Sequence, residues 1–252
     1  MDMAERRDKI VDLVNREGSI VFAQLKKELP DVSEMTLRTD LKVLDQQRSI
    51  IRVYGGARSV DYAVGTDDLL AHRKARNVAK KNDIALKAIE LVRPDTTIFI
   101  DSGTTTTALA TALPNQRLLV FTNSLTVAME LANLDQVTTY VVGGELNRQS
   151  MSVTGARAVK NLGSLAFDQL FLGVTSYENR GGFTCGSGDE AVFKASCVER
   201  ADETVVLIDS TKEGKRSTFP ICDITDVDCV VSDGGLSLDF VTRCEEAGVE
   251  VL

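Results

Sequence analysis

The stretch Thr97–Ala110, TIFIDSGTTTTALA, decides how the larger part of this chain is read. Thr97 to Ile100 has the short apolar character of a buried strand. Asp101 closes it, Ser102 and Gly103 turn, and Thr104 to Thr107 lead into a helical stretch. The first N–H groups of a helix have no partner within it. A strand, a hydroxyl-rich glycine turn and a helix start therefore make a seat for an anion.

The same alternation continues to the end of the chain. Further strands are expected at Leu118–Thr122, Thr139–Val142, Gln169–Val174, Thr204–Ile208, Cys229–Ser232 and Val249–Leu252. Helices are expected at Thr105–Leu113, Ser124–Leu131, Ala156–Leu162, Asp189–Arg200 and Leu238–Ala247. Strands alternating with helices imply a mostly parallel sheet covered on both faces. Ligands of such sheets bind outside the carboxyl ends of the strands. There the sequence places Asp101, Ser102, Gly103, Thr104, Thr105 and Thr106, then Asn123 and Ser124, then Gly143, Gly144 and Glu145, and finally Lys212 in the run from Asp209. Backbone N–H groups of the Gly-Thr-Thr turn suit a phosphate, and Lys212 adds a point charge. Asp101, Asn123 and Glu145 suit sugar hydroxyls. For any single loop, helix N-caps and tight turns explain the same residue types. Four such loops at one sheet edge favour binding. Neither G-x-x-x-x-G-K-[ST] nor an opening G-x-G-x-x-G is present, so no nucleotide cofactor is expected.

Other properties narrow the class. The 252 residues leave room for one large domain or a small one joined to a larger one. With 43% hydrophobic and 26% charged residues, the chain can bury a core without covalent staples. No apolar run approaches the roughly 20 residues that span a bilayer, and MDMAERRDKIVDLV lacks an apolar signal core. A cytoplasmic location and no membrane partner are expected. The five cysteines form no C-x-x-C pair, which favours reduced, buried thiols over zinc or a disulfide framework. The single histidine, His72, leaves no basis for a His-based triad or a His-rich metal site.

The net charge of −8 is unevenly spread: residues 1–60 hold 11 Lys and Arg against 10 Asp and Glu, and the rest 18 against 27. Arg38, Lys42, Arg48, Arg52 and Arg58 cluster late in the first part, and local charge governs contact with phosphate. Ala4–Arg16, Phe22–Leu29 and a segment capped by Ser33 read as three short helices, the third with an apolar stripe of Leu37, Leu41 and Leu44. A basic hairpin turning at Gly55-Gly56 follows. Three helices and a hairpin make a winged helix-turn-helix, whose third helix enters the major groove. Ser33, Thr36, Arg38, Thr39 and Lys42 on that helix, and Arg52, Tyr54 and Arg58 on the hairpin, are the candidate DNA contacts. Arg38 suits guanine, Thr36 or Thr39 suits phosphate or a thymine methyl, and Arg52 and Arg58 suit phosphate. A helical protein–protein module with a solvated charged face is the alternative.

VSEMTLRTDLKVLDQQRSIIRVYGGA, Val32 to Ala57, resembles the signature of DeoR-type bacterial transcription regulators. It departs at Thr39, where the family shows a second arginine, at Arg48, where a helix-ending glycine is usual, and at Tyr54, where histidine is common. The stretches IFIDSGTTTTALA, FTNSLTVA, VVGGELN, FDQLFLGV and LIDSTKEG resemble successive motifs of the same family's sensor domain. The resemblance implies a homo-oligomeric regulator, dimer or tetramer, most often a repressor, that binds operator DNA and is controlled by a phosphorylated sugar or a related metabolite. It implies a sensor fold like that of ribose-5-phosphate isomerase. The expected organisation is a DNA-binding domain at 1–60, a linker at 61–74 and a sensor at 75–252. Asp67 to Val92 is expected as a connecting helix that packs on the sensor.

An enzyme is the alternative: a sugar-phosphate isomerase or transferase with a fused interaction module. Such an isomerase needs a base beside the carbonyl. Its Asp-Gly-Ala-Asp motif is replaced here by Gly173-Val174-Thr175-Ser176, and its lysine-glycine run is missing. The anion is therefore expected to be read rather than converted. Glu190 and Lys194, four apart with Glu first, read as a helix-stabilising pair worth a few tenths of a kcal/mol. Tyr177 and Phe183 suit either a pocket entrance or the core.

Overall fold

The computed structural model describes residues 2–47, 49–59, 70–163 and 165–252. The chain divides into two compact units, Met1–Asp68 and Leu69–Leu252. Arg48 and residues 61–69 of the expected linker lie outside the described residues, while residues 70–74 belong to a helix of the second unit.

The first unit contains α1 (Met3–Glu17), β1 (Ser19–Val21), α2 (Phe22–Glu28), α3 (Glu34–Gln46), β2 (Ile51–Val53) and β3 (Gly56–Arg58). Asp2 and Glu5 form a capping box at the start of α1, and Ser33 caps α3 by accepting from the Thr36 N–H at 3.1 Å. The helical apolar spacings close into one core of Ile10, Leu13, Val14, Leu25, Leu37, Leu41 and Leu44, with Ile20 and Ala57 from the strands. The expected hairpin forms, and it gains a third strand: β1 pairs antiparallel with β3 in the order β1-β3-β2. A three-residue strand carries too little pattern to be read from sequence. Its partner is fixed instead by Gly56, where a Cβ would lie 2.1 Å from the Ile20 carbonyl oxygen.

The second unit begins with α4 (Leu70–Ala75) and α5 (Val78–Ile89). The single connecting helix expected from Asp67 to Val92 is thus broken. Asn77 stands in the left-handed region with φ of 51°, which ends one helix and starts the next. There follow β4 (Thr97–Ile100), α6 (Thr104–Ala112), β5 (Leu118–Thr122), α7 (Leu125–Leu131), β6 (Val137–Val141), β7 (Glu145–Asn147), β8 (Ser152–Thr154) and α8 (Ala156–Leu162). The remainder comprises β9 (Gln169–Gly173), β10 (Ser176–Glu178), β11 (Gly182–Cys185), α9 (Gly188–Val198), β12 (Thr204–Leu207), β13 (Phe219–Cys222), β14 (Cys229–Val231), α10 (Leu238–Glu246) and β15 (Glu250–Val251).

Seven of these strands form one parallel sheet in the order β15-β14-β12-β9-β4-β5-β6. Its inner strands are apolar at successive positions because both faces are covered. Ile98, Ile100, Val120 and Val205 face α5, α6 and α7 through Ile84, Leu109 and Val127. Phe99, Leu170, Leu172 and Val206 face α8, α9 and α10 through Leu162, Phe193 and Phe240. The chain runs outward from β4 to β6, then returns to place β9 on the other side of β4. The topological switch point, where ligands bind such sheets, therefore falls between the carboxyl ends of β4 and β9. A β7–β8 ribbon and a small antiparallel sheet, β10-β11-β13, are additions that sequence periodicity did not indicate. Tyr177 and Phe183 sit in that small sheet and are core residues, with Tyr177 edge-on to Phe240 at 4.6 Å, which excludes the pocket-entrance reading.

Among the described residues no helix is long and apolar enough to cross a membrane. No disulfide joins the cysteines, and burial pushes the Cys222 and Cys229 thiols up to about 12.

Candidate functional site

In the first unit α3 buries Leu37, Asp40, Leu41 and Leu44 and exposes Met35, Arg38, Thr39 and Lys42. The exposed four are spaced i, i+3, i+4 and i+7, a single stripe along the helix. Asp40 anchors the helix from beneath. Its carboxylate accepts from Arg6 Nε at 2.6 Å and Arg7 Nε at 2.8 Å. Burial works to raise the Asp40 pKa, but the two guanidinium groups outweigh it and hold the carboxyl below its ordinary value. The Arg38 guanidinium lies 4.6 Å from the centre of the Phe22 ring and 3.5 Å from Glu34, both weak tethers at an exposed position.

The candidate DNA contacts fall into two groups. Arg38, Thr39 and Lys42 share the stripe, and Arg52, Tyr54 and Arg58 are exposed on the hairpin, with Tyr54 fully exposed at its turn. Gly55, at φ of 79°, permits that turn. Ser33 and Thr36 are committed to the helix cap, their hydroxyl oxygens 2.8 Å apart. The Arg52 N–H donates to Asp45 Oδ1 at 2.8 Å, which ties the hairpin to α3.

In the second unit the β4–α6 turn is built around Gly103, whose φ of 147° favours glycine. The Thr106 and Thr107 hydroxyls donate back to the Gly103 carbonyl at 3.0 and 2.6 Å, so the Thr106 side chain is spent within the helix. Thr104 and Thr105, half-buried, keep their N–H groups at the helix start. Thr104 shares a groove of about 460 Å³ with Lys74 and Lys81.

Lys81 is the residue that the sequence reading missed. Two of its three N–H groups donate to the Arg73 and Arg76 carbonyls, the latter at 2.5 Å. Burial lowers its pKa to about 8; Asp209 opposes this, while Lys212, Arg73 and Arg76 add to it. Lys212 therefore belongs to the same cationic group. Arg73 has two buried guanidinium nitrogens, Nε and Nη2, with no hydrogen-bond partner among the described residues. Buried unpaired donors are costly, and a cluster of cations around them favours an anion. The Lys/Arg richness up to Lys81 was the available signal. The broken helix that folds α4 back to α5 was not legible.

Asp101 is buried, and its Oδ2 accepts from the Gly173 N–H at 3.1 Å and from Lys194. Lys194 also donates to the Gly173 carbonyl at 2.9 Å. This corrects the reading of Glu190 and Lys194 as a helix-stabilising pair with each other. Both are buried on α9, Lys194 pairs with Asp101 across the switch point, and Glu190 accepts from Ser152 Oγ at 2.8 Å. Spacing alone gives i, i+4 proximity, not which side of the helix meets the sheet. Burial opposes the Lys194 charge, but Asp101 and Glu190 outweigh it and raise its pKa. Burial raises the Asp101 pKa; Lys194 counters and Glu190 adds to it. Asp101 Oδ1 and Asn123 Oδ1 are buried acceptors without a partner among the described residues.

The other sequence candidates have local roles. Ser124 caps α7 by accepting from the Val127 N–H at 3.2 Å. Ser102 is buried in the turn. Gly144 packs beneath α8, where a Cβ would lie 2.7 Å from that of Ala158, and the Gly143 carbonyl accepts from Asn161 at 3.0 Å. Glu145 is exposed on β7. The structure thus places Thr104 and Lys81 on one groove, with the Arg73 and Lys212 charges acting on Lys81, while Asp101 and Thr105 flank Thr104 along the β4–α6 segment. It leaves Gly143 and Gly144 two strands away on the edge. At Gly173 a Cβ would meet the Ser102 carbonyl at 2.9 Å, so the position beside Asp101 has no room for a side chain.

A winged helix-turn-helix with a basic outward face, joined in one chain to an α/β unit with an anion-ready turn, defines the class of transcription regulators that carry their own sensor. Residues 6–63 match the DeoR-like helix-turn-helix domain and residues 76–234 match the DeoR C terminal sensor domain. The chain belongs to the DeoR family of transcription regulators and not to an enzyme family. It is 33% identical over 251 residues to a putative aga operon transcriptional repressor of Escherichia coli O157:H7, covering 99% of this chain and 93% of that one. It is 31% identical over 237 residues to the lactose phosphotransferase system repressor of Staphylococcus aureus strain NCTC 8325, covering 92% and 93%. Among solved structures, ribose 5-phosphate isomerase A of Methanocaldococcus jannaschii matches with a TM-score of 0.41 and 20% identity over 56% of each chain.

Proposed function

We propose that this chain is a cytoplasmic, homo-oligomeric repressor of a sugar-metabolism operon whose hold on operator DNA is set by a phosphorylated sugar. Residues 1–60 bind the operator, and the second unit, Leu69–Leu252, senses, with Arg73 on its first helix inside the seat rather than in a linker. Relatives named as repressors of the aga operon and of a lactose phosphotransferase system support the sugar assignment. The observation that carries it is two sets of buried groups without a partner among the described residues: donors on Arg73, close to Lys81, and acceptors on Asp101 and Asn123 at the carboxyl ends of adjacent strands. The first set suits a phosphate and the second suits sugar hydroxyls. The Thr104 and Thr105 N–H groups complete the phosphate seat. The effector controls DNA binding by binding two states of the protein with different affinity. A dimer or tetramer supplies paired heads for the half-sites of a symmetric operator.

The test is enrichment of genomic fragments by the purified protein at near-physiological salt, where non-specific phosphate contacts do not dominate. A few discrete upstream sites are expected, with Arg38→Ala abolishing the enrichment. A panel of sugar phosphates is then scored for a change in operator affinity, which Thr105→Glu eliminates while sparing DNA binding. No enriched site, or no sugar phosphate that alters binding, overturns the proposal.

A further inference from the structure

The exposed stripe of α3 has one member with no polar role to play. Met35 is 80% exposed, at the second position of the helix, directly after the Ser33 cap. It heads the series Met35, Arg38, Thr39, Lys42, and the N-terminal residues of a recognition helix are those that reach base edges. Its neighbours offer charge or hydroxyls. The Thr39 hydroxyl donates to the Met35 carbonyl at 2.9 Å and the Thr36 hydroxyl lies 2.8 Å from that of Ser33, so both hydroxyls beside Met35 are engaged locally. A thioether side chain offers only a weak acceptor and a flexible, polarisable apolar surface. In the major groove one base-edge group answers that chemistry, the C5-methyl of thymine; the minor groove carries none. The opposite side of α3 is filled by Leu37, Asp40, Leu41 and Leu44, so Met35 has no place in the core of its unit.

We propose that Met35 is a specificity-determining residue that reads a thymine methyl in each operator half-site. Resting on the assignment of α3 as the helix that reads the operator, this adds apolar readout to the hydrogen-bonding contacts of Arg38. It also predicts that the methyl-reading position is fixed relative to the base read by Arg38, since the two side chains lie one turn apart on a rigid helix. Met35 carries no charge, so its contribution leaves the salt dependence of binding untouched.

The experiment starts from operator sites selected by the full-length wild-type chain from random DNA. Each thymine is replaced in turn by uracil, which removes the C5-methyl and nothing else. The wild type is expected to lose about four-fold in affinity per methyl, the equivalent of ~0.8 kcal/mol, at one position in each half-site. Met35→Ala binds thymine and uracil sites equally, at the wild type's uracil affinity, with an unchanged salt slope. Ala has high helix propensity and the site is exposed, so the variant folds; its thermal melting confirms this. A wild type indifferent to every uracil replacement overturns the inference while leaving the regulator assignment standing. So does a Met35→Ala variant that keeps the wild-type discrimination. Failure to select any site overturns both.

Discussion

The Lys194 ammonium and the Asp101 carboxylate form an ion pair in which the side chains are 4% and 1% exposed. It links α9 to the end of β4, and the Gly173 N–H and carbonyl close it from β9. Three elements meeting at the switch point are thus fastened by one charged contact. Removing one partner of such a pair leaves the other buried and uncompensated, which costs about 3–5 kcal/mol. Lys194→Met is expected to lower the denaturation midpoint accordingly. Adding Asp101→Asn to it is expected to recover a good part of the loss, because neither charge is then buried. The Lys194→Met deficit also shrinks as pH falls. Lys194 is the group that holds the raised Asp101 pKa down, so without it the folded carboxyl takes up its proton at higher pH than in the wild type and the variant gains more stability towards acid. Denaturant titrations at several pH values check all three. A single variant as stable as the wild type excludes a buried pair.

Asp40 performs the same fastening in the DNA-binding unit, with the opposite pH sign. Arg6 and Arg7 hold its folded pKa below the ordinary carboxylate value. Its stabilisation is therefore present above that ordinary value and is lost as pH falls through the lowered folded one. Asp40→Asn is expected to cost about 2–3 kcal/mol near neutral pH, the size of charge-assisted hydrogen bonds. Hydrogen exchange of the α1 and α3 amides reads this for the first unit alone. Near-neutral protection unaltered by Asp40→Asn contradicts the anchor role.

Two adjacent glycines in the wing separate strain from contact. Gly55 has φ of 79° and open space around its Cβ position, so Gly55→Ala pays only for the left-handed backbone, about 1 kcal/mol. Gly56 has ordinary backbone angles but abuts the Ile20 carbonyl and the Val21 Cα, 2.9 Å from a Cβ. Gly56→Ala is expected to separate β3 from β1 and to weaken operator binding by much more than Gly55→Ala. Parallel melting and operator titrations decide it. Equal effects would mean that the β1–β3 contact is unimportant to the wing.

What could be read from the residues follows physical range. Buried parallel strands announce themselves by continuous apolar runs, so Thr97–Ile100 and Leu118–Thr122 appear at the residues expected. Helices with N-caps, such as those at Ser33, Ser124 and Ser237, start where local hydrogen bonding dictates. The turn at Gly103 is likewise local. Contacts between distant segments were not legible. Lys194 reaches Asp101 across 93 residues, and nothing in the spacing of Glu190 and Lys194 states which side of α9 is buried. Lys81 was hidden in a lysine-rich stretch because the break at Asn77 is a backbone event. The three-residue strands β1, β7 and β8 owe their existence to partners rather than to their own pattern.

Lys81 lines the groove beside Thr104 in the proposed phosphate seat. Its pKa in the free protein is about 8, so near neutral pH it is mostly charged. A bound phosphate stabilises the ammonium and raises that pKa, so binding is linked to proton uptake once the free form begins to lose its proton. Effector affinity is therefore expected to fall as pH rises through about 8, by up to ten-fold per unit, until the pKa of the bound state is reached. On the acid side the second ionisation of a phosphomonoester, near pH ~6, weakens binding as its dianion is lost. The profile is bell-shaped, with its alkaline limb owed to Lys81. Lys81→Met removes that limb and lowers the plateau affinity, while Lys81→Arg keeps the plateau in part and shifts the limb beyond reach, since arginine does not titrate in this range. Operator release by the effector, titrated from pH 6 to 9, gives the profile. An alkaline limb that survives Lys81→Met places the titrating group elsewhere and removes Lys81 from the seat.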